Sequence, residues 1–147
     1  MEETLKIKLL SNTSHIPTRG SDGAAGYDMW SNNEVSICIK PHETVKIGTG
    51  VAVQIPHGYF GAIFARSGLA AKRLLRPGNC VGVVDEDYTG EVIVAVHNDS
   101  DEPQVVNPFE RIAQLVILPY YAPDIEIVDD LDETERGAGG FGSTGEK

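Results

Sequence analysis

The sequence has little of what marks a membrane or secreted protein. No apolar run approaches the ~20 residues that a membrane-spanning helix needs. The first residues, MEETLKIKLL, lack the apolar stretch of a signal peptide. Basic residues are also few, with 12 Lys and Arg against 22 Asp and Glu and a net charge of −10. Because nucleic-acid affinity depends on clustered basic side chains, we expect no nucleic-acid partner. Because long apolar runs are missing, we expect a soluble, cytoplasmic protein without a membrane partner.

Metal-binding and disulfide patterns are missing as well. Cys38 and Cys80 show no CxxC spacing, and the four histidines show no metal-ligand spacing. Both cysteines stand in apolar, strand-like surroundings, so we expect buried free thiols.

Long helical periodicity is absent, and short strand-like segments take its place. The chain has 147 residues, 41% of them apolar, which suits one domain that buries about two-thirds of its unfolded surface. Strand-like segments separated by turns recur every ~8–12 residues, a pattern typical of an all-β sandwich or barrel. The clearest segments are residues 4–10, 34–40, 44–55, 59–64 and 110–118. We therefore predict a jelly-roll-like β domain over residues 1–123, followed by an acidic tether and a flexible glycine-rich arm over residues 124–147.

An acidic turn between two apolar runs is the most informative stretch. Residues 81–84 and 92–96 have strand composition, and residues 85–90, DEDYTG, connect them, which predicts a β-hairpin. In extended geometry Asp85 and Asp87 share a face and Glu86 points away. A carboxylate held where an apolar wall meets a polar pocket is a candidate general base, and a solvated turn is the alternative.

Two other segments suggest phosphate binding. Residues 65–73, ARSGLAAKR, predict a helical turn with Ser67 as its N-cap, and a helix start binds phosphate, although a capped surface turn is the alternative. The final residues, RGAGGFGSTGEK, have glycine spacings similar to dinucleotide-binding and P-loop motifs. Both of these interpretations fail, because no strand precedes the glycines and Ser143 stands where a P-loop lysine is required. Glycine-rich backbone around Arg136 and Phe141 still suits closure over a phosphorylated ligand, with a disordered tail as the alternative.

Together, five stretches resemble the motifs of the trimeric dUTPases, in the order found in that family. They are residues 24–28 (AAGYD), 65–70 (ARSGLA), 76–98 (RPGNCVGVVDEDYTGEVIVAVHN), 110–114 (ERIAQ) and 136–145 (RGAGGFGSTG). The resemblance implies a jelly-roll fold, a homotrimer with shared active sites and Mg²⁺-assisted hydrolysis of dUTP to dUMP and pyrophosphate. That reaction keeps uracil out of DNA and supplies dUMP for thymidylate synthesis.

The resemblance also implies roles for individual residues. Asp85 would activate the attacking water, and Asp28 would reach the metal through water. The residues implied in phosphate binding are Arg66, Ser67 and Gly68 for the α- and β-phosphates and Gln114 for the phosphates. The nucleoside would be bound by Asn79 with the backbone of Val83, Val84 and Ile93 at the base and by Tyr88 at the sugar. The closing arm would contribute Arg136, which also stabilises charge in catalysis, together with Phe141, Gly142, Ser143 and Thr144.

Two positions depart from the family pattern, and two other functions compete. Ala65 stands where the family usually has proline, which is expected to loosen the approach to the helical turn slightly without removing a ligand. Phe109 stands where the family commonly has glycine, so the turn into the strand at residues 110–118 is expected to differ. A dCTP deaminase-like enzyme and a non-catalytic nucleotide-binding regulatory module share the expected fold and are the alternatives.

Overall fold

The protein is a jelly-roll-like β-sandwich, seen in a computed structural model that describes residues 4–143 and 145. The predicted all-β fold class is confirmed. The described strands are β1 (Lys6–Leu9), β2 (Tyr27–Trp30), β3 (Ile37–Ile39), β4 (Thr44–Gln54), β5 (Tyr59–Phe64), β6 (Leu75–Pro77), β7 (Gly82–Val84), β8 (Glu91–Asn98), β9 (Gln104–Val106) and β10 (Arg111–Pro119).

The strands form two four-stranded sheets and one small two-stranded sheet. The first sheet has the order β1-β4-β8-β6, the second has the order β2-β10-β5-β7, and β3 pairs with β9. Every strand pair is antiparallel. This topology places β7 at an edge, where it pairs with β5 alone.

The core is built from the alternating apolar residues of both large sheets. Along β8, Val92, Val94 and Val96 are buried, whereas Ile93 between them is exposed. Met29 of β2 and Leu115 of β10 are fully buried in the same cluster. This alternation follows from the period of two in a strand, and it leaves Ile93 free to line a surface cavity.

The predicted hairpin is wrong. Strands β7 and β8 do not pair with each other, because β7 pairs with β5 in one sheet and β8 pairs with β4 and β6 in the other. The β-branched composition correctly predicted that both segments are strands. It did not predict their pairing partners, because each strand packs on the core as part of a different sheet. The two strands therefore diverge, and a cavity opens between them.

Two smaller expectations are also wrong. The helical turn at Leu69–Arg73 is of π type and has Gly68 as its N-cap without a side-chain capping bond, so Ser67 does not cap it. Cys38 and Cys80 are free but exposed rather than buried. Cys38 lies on the outward face of β3, and Cys80 lies in the turn before β7. Apolar neighbours in the sequence do not reveal which face of a strand a thiol occupies.

Phe109 adopts the backbone conformation that glycine would favour. Its φ is 54°, in the left-handed region that is unusual for a bulky residue. Its ring packs against His15 at a centroid distance of 5.3 Å, and His15 stacks in turn on Trp30 at 5.7 Å. The turn into β10 therefore keeps a positive φ, and the aromatic contacts help to stabilise it.

After β10 the chain is exposed to solvent. Residues 119–138 are all exposed, including Ile125 and Ile127 at 95% and 94%. Across the residues that the structure describes, no helix has the length and apolarity to cross a membrane.

Candidate active site

A cavity of about 280 Å³ lies between the diverging strands β7 and β8. Its size is near the lower end of the range for small-molecule sites. Six of the residues predicted to bind or act on the nucleotide line it together, namely Asn79, Val83, Val84, Asp85, Tyr88 and Ile93. Residues from the turn before β7, from both strands and from the loop between them therefore face one space, which we name the nucleoside cavity.

The strand edges make this cavity suitable for a planar polar ligand. Strand β7 hydrogen-bonds to β5 along one edge only. Strand β8 pairs with β6 only from Val96 to Asn98. Unpaired backbone N–H and C=O groups along such edges bind a complementary partner. The side-chain amide of Asn79 adds a second kind of donor and acceptor.

Tyr88 is held by the strand that follows it. Its hydroxyl donates a hydrogen bond to the Glu91 carbonyl oxygen at 2.7 Å. Gly90 allows this packing, because a Cβ there would lie 2.7 Å from the Tyr88 hydroxyl oxygen. Tyr88 is 46% exposed and lines the nucleoside cavity.

The acidic turn is anchored through Glu86. Its carboxylate accepts hydrogen bonds from the Gly58 N–H at 2.7 Å and from His57 Nδ1 at 3.0 Å. The bond from Gly58, with the contribution of His57, holds the pKa of Glu86 below its ordinary value. Desolvation, with Glu86 nearby, raises the pKa of Tyr120. Glu86 thereby ties the turn to the β4–β5 connection, and Asp85 is the carboxylate of this turn that lines the nucleoside cavity.

A second cluster forms around Asp28 on β2. One oxygen of its carboxylate accepts from Arg66 Nε at 2.9 Å, and the other accepts from Arg111 Nη1 at 3.3 Å. Gln114 pairs with Asp28 in the sheet, and its Nε2 donates to the Ala65 carbonyl at 2.9 Å. Ser67 and Gly68 follow Arg66 directly. We name Asp28, Arg66, Ser67, Gly68 and Gln114 the phosphate cluster.

Sequence reasoning missed three residues that shape these two clusters. Arg111 belongs to the motif at residues 110–114, but its contact with Asp28 depends on the register of β10 against β2. Glu86 was interpreted only as pointing away from Asp85. Glu91 lines the nucleoside cavity and contacts β4. The opposite charges of Arg111 and Asp28 could have indicated from the sequence that these two side chains form an ion pair. The contacts of Glu86 and Glu91 depend on tertiary packing, and the sequence gives no signal for them.

The glycine-rich arm does not contribute to the nucleoside cavity within the described chain. Arg136 Nε donates to the Gly139 carbonyl at 2.6 Å, and the Gly137 N–H donates to Thr134 Oγ1 at 3.0 Å. Phe141, Gly142 and Ser143 are exposed. The predicted contact of Thr144 lies outside the described residues.

The described residues contain no group of three or more His, Cys, Asp or Glu side chains arranged to hold a metal ion. Both carboxylate oxygens of Asp28 already accept from arginines. Direct coordination by Asp28 therefore does not fit this geometry, while a contact through water leaves both ion pairs in place.

Comparison with known proteins agrees with this geometry. The family model described as dUTPase matches residues 12–145. The deoxyuridine 5'-triphosphate nucleotidohydrolase of Desulfitobacterium hafniense is 50% identical, with 97% of each chain covered. The enzyme of the same name from Methylobacillus flagellatus is 43% identical, with 99% of each chain covered.

Solved structures give the same result. A mutant of the Staphylococcus bacteriophage 80alpha dUTPase with dUpNHpp superposes with a TM-score of 0.87 at 32% identity, covering 98% of this chain and 99% of the other. A mutant dUTPase from phage phi11 of S. aureus, which reveals the coordination of a structural Mg(II) ion, has a TM-score of 0.78 at 28% identity and covers 89% of this chain and 100% of the other. From its motifs, its fold and these relatives, the chain belongs to the dUTPase family, the enzymes that hydrolyse dUTP to dUMP and pyrophosphate.

Proposed function

We propose that Asp85 is the general base with which this enzyme hydrolyses dUTP to dUMP and pyrophosphate. The observation that supports this best is the nucleoside cavity, which brings Asp85 together with five residues suited to a pyrimidine deoxynucleoside. Asp85 also lines a wider adjoining cavity of about 540 Å³, so its carboxylate stands where a nucleoside site meets open solvent. A carboxylate in that position can reach both water and a phosphate attached to the sugar.

The base is recognised by backbone and amide groups. Uracil presents an acceptor, a donor and an acceptor along one edge, and strand backbone complements that pattern without side chains. The free edge of β7 at Val83 and Val84, the backbone of Ile93 and the amide of Asn79 supply these groups. A site built to pair every polar atom of one base rejects a base with a different pattern, because buried groups would be left unpaired.

The sugar lies against Tyr88. The ring is fixed by its bond to the Glu91 carbonyl, so it does not move aside for a larger sugar. A ribose 2′-hydroxyl would meet the ring, which excludes UTP.

The phosphate cluster binds the triphosphate in a neighbouring copy's site. Val84 pairs with Gly61 near the start of β5, and Asp85 follows it. Because the two strands are antiparallel, Asp85 continues towards Phe60, whereas Arg66 lies five residues from Gly61 in the opposite direction, about 16 Å of extended chain away. A general base that acts at the α-phosphorus and an arginine that binds the α- and β-phosphates of the same substrate must lie much closer together than about 16 Å. The separation supports a homotrimer in which each active site is shared between subunits, a closed three-fold assembly.

Asp28 is the residue that would hold Mg²⁺, and it would do so through water. The substrate triphosphate and water would supply the other ligands, since the described residues contain no three-ligand cluster. When bound, the ion neutralises phosphate charge and fixes the conformation of the triphosphate.

In the reaction, Asp85 takes a proton from a water molecule that attacks the α-phosphorus in line, and pyrophosphate leaves. Arg66 and Arg136 stabilise the charge that accumulates on the phosphates. The arm over residues 124–147 closes over the site, with Phe141 against the base and with Gly142, Ser143 and Thr144 on the γ-phosphate, which excludes bulk water. The reaction removes dUTP from the cytoplasmic nucleotide pool, which keeps uracil out of DNA, and supplies dUMP for thymidylate synthesis.

A pyrophosphate-release assay with dUTP, dTTP, UTP and dCTP tests this function. We expect pyrophosphate from dUTP, strong discrimination against the other three nucleotides, and neither ammonia nor dUTP from dCTP. Deamination of dCTP would instead indicate the deaminase-like alternative. Tight binding of dUTP without hydrolysis in the presence of Mg²⁺ would indicate a non-catalytic regulatory module.

A further inference from the structure

A bulge in β4 lies beside the nucleoside cavity. The pairing of β4 with β8 steps from Gly48–Ile93 to Ala52–Glu91, so three residues of β4 lie opposite the single residue Val92 of β8. The extra residues cannot all join the ladder of backbone hydrogen bonds. Gly50 lies in the bulge, is buried and has a φ of 69°. A buried backbone N–H at such a position requires a partner from elsewhere.

Glu91 supplies that partner from the first residue of β8. Its Oε2 accepts a hydrogen bond from the Gly50 N–H at 3.0 Å. Gly48 leaves room for the carboxylate, because a Cβ there would lie 2.5 Å from Glu91 Oε2. Next to it, Thr49 Oγ1 donates to the Val92 carbonyl at 2.6 Å in a buried bond. The start of β8 is thus attached to the bulge by two hydrogen bonds, one to the side chain of Glu91 and one from the side chain of Thr49.

The backbone of the same residue holds Tyr88. The Glu91 carbonyl accepts the bond from the Tyr88 hydroxyl. Because Tyr88 is 46% exposed, core packing alone does not fix its ring. The orientation of the ring therefore depends on where Glu91 is held, and Glu91 is held by its pairing with Ala52 and by the bond from the Gly50 N–H to its side chain.

We infer that Glu91 is a positioning residue for sugar discrimination, acting by attaching the Tyr88 ring to the β4 bulge. This inference rests on the proposed placement of the sugar against Tyr88. The side-chain carboxylate helps to fix the backbone of Glu91. The backbone carbonyl of Glu91 in turn fixes the orientation of the Tyr88 ring, which excludes a 2′-hydroxyl. Loss of the carboxylate releases the ring, and the ribonucleotide gains access.

The experiment compares kcat/KM for dUTP and UTP in Glu91→Ala, Glu91→Asp and Glu91→Gln, together with Tm and oligomeric mass. We expect the dUTP-to-UTP ratio to fall about tenfold or more in Glu91→Ala. Aspartate is one methylene shorter and cannot reach Gly50 from the same backbone position, so Glu91→Asp should also lose selectivity. Glutamine retains an oxygen acceptor of the same reach, and it should restore the wild-type ratio within about threefold.

Glu43→Ala is the matched control. The Glu43 carboxylate also accepts from a backbone N–H, that of Lys40 at 2.9 Å, but in the turn between β3 and β4. Its removal deletes the same kind of bond without affecting Tyr88, so the ratio should stay at the wild-type value.

Several outcomes would overturn the inference. An unchanged ratio in the Glu91 variants would do so, as would an equal loss of kcat/KM on both nucleotides, which indicates a purely structural role. A variant that fails to fold does not remove the test, because Glu91→Asp keeps the charge and carries the same expectation. If wild-type enzyme uses UTP as well as dUTP, the proposed sugar site itself fails, and that failure is visible before any variant is measured.

Discussion

The nucleoside cavity and the glycine-rich arm are held by different kinds of contact. Around the cavity, hydrogen bonds join distant parts of the chain, such as Glu86 to Gly58 and Glu91 to Gly50. In the arm, the hydrogen bonds from Arg136 to Gly139 and from Gly137 to Thr134 span three residues each. In the proposed mechanism, recognition of the nucleoside is therefore organised before substrate arrives, whereas charge neutralisation by the arm depends on its closure after binding. The predictions below separate these two contributions.

The largest effect is expected for Asp85→Asn. Asparagine keeps the shape of the side chain but cannot take the proton from water, so kcat should fall by about 10²–10⁴-fold. Binding of a non-hydrolysable dUTP analogue, measured by calorimetry, should stay within about threefold of wild type. Asp87→Asn is the control, because Asp87 lies in the same turn but does not line the nucleoside cavity. A variant at position 85 that keeps its activity would remove Asp85 from the role of general base.

Deletion of residues 136–147 should have the next largest effect. The loss of Arg136 and of the phosphate-binding glycines should lower kcat/KM for dUTP by about 10²–10³-fold. Because the arm contributes exposed residues and local bonds, Tm should change little. Affinity for dUMP, which occupies only the nucleoside end, should also be retained. A large drop in Tm would mean that the arm is part of the folded core in the assembled protein.

Phe141→Ala should produce a smaller loss within the same arm. The ring is fully exposed in the described chain and is available to stack on the base when the arm closes. Removing one base–aromatic contact should raise KM for dUTP by about tenfold, measured by steady-state pyrophosphate release. Phe141→Tyr keeps the stacking face and should behave like wild type. Equal effects of the two substitutions would argue against stacking.

The smallest effect is expected at Glu86 and depends on pH. Its pKa is lowered in the folded protein, chiefly by the hydrogen bond from Gly58, so the ionised form stabilises the fold above the unfolded pKa of 4.5. That contribution is lost as the pH falls through the folded pKa. Wild type should therefore have a higher Tm than Glu86→Gln at pH 7, with the difference narrowing towards pH 4. Glu133→Gln in the exposed tether is the control, and a pH-independent difference would contradict the assignment.

The sequence alone revealed the fold class and most of the site. Alternating apolar residues identified the strands, since burial on one face imposes a period of two along the chain. The motifs identified six of the residues that line the nucleoside cavity and those of the phosphate cluster, because the chemistry of each group is a property of the residue itself. The departure at Phe109 predicted a different turn, whereas Phe109 adopts the positive φ that glycine favours.

Tertiary structure decided how these pieces meet. Strands β7 and β8 do not form a hairpin, because each pairs with strands of a different sheet. Those pairing strands are distant in the chain, so the local sequence does not specify them. The contacts of Glu86, Glu91 and Arg111 each join residues at least 28 positions apart, where no local pattern specifies register. Residue type fixes which chemistry is available, whereas long-range packing fixes where that chemistry is held.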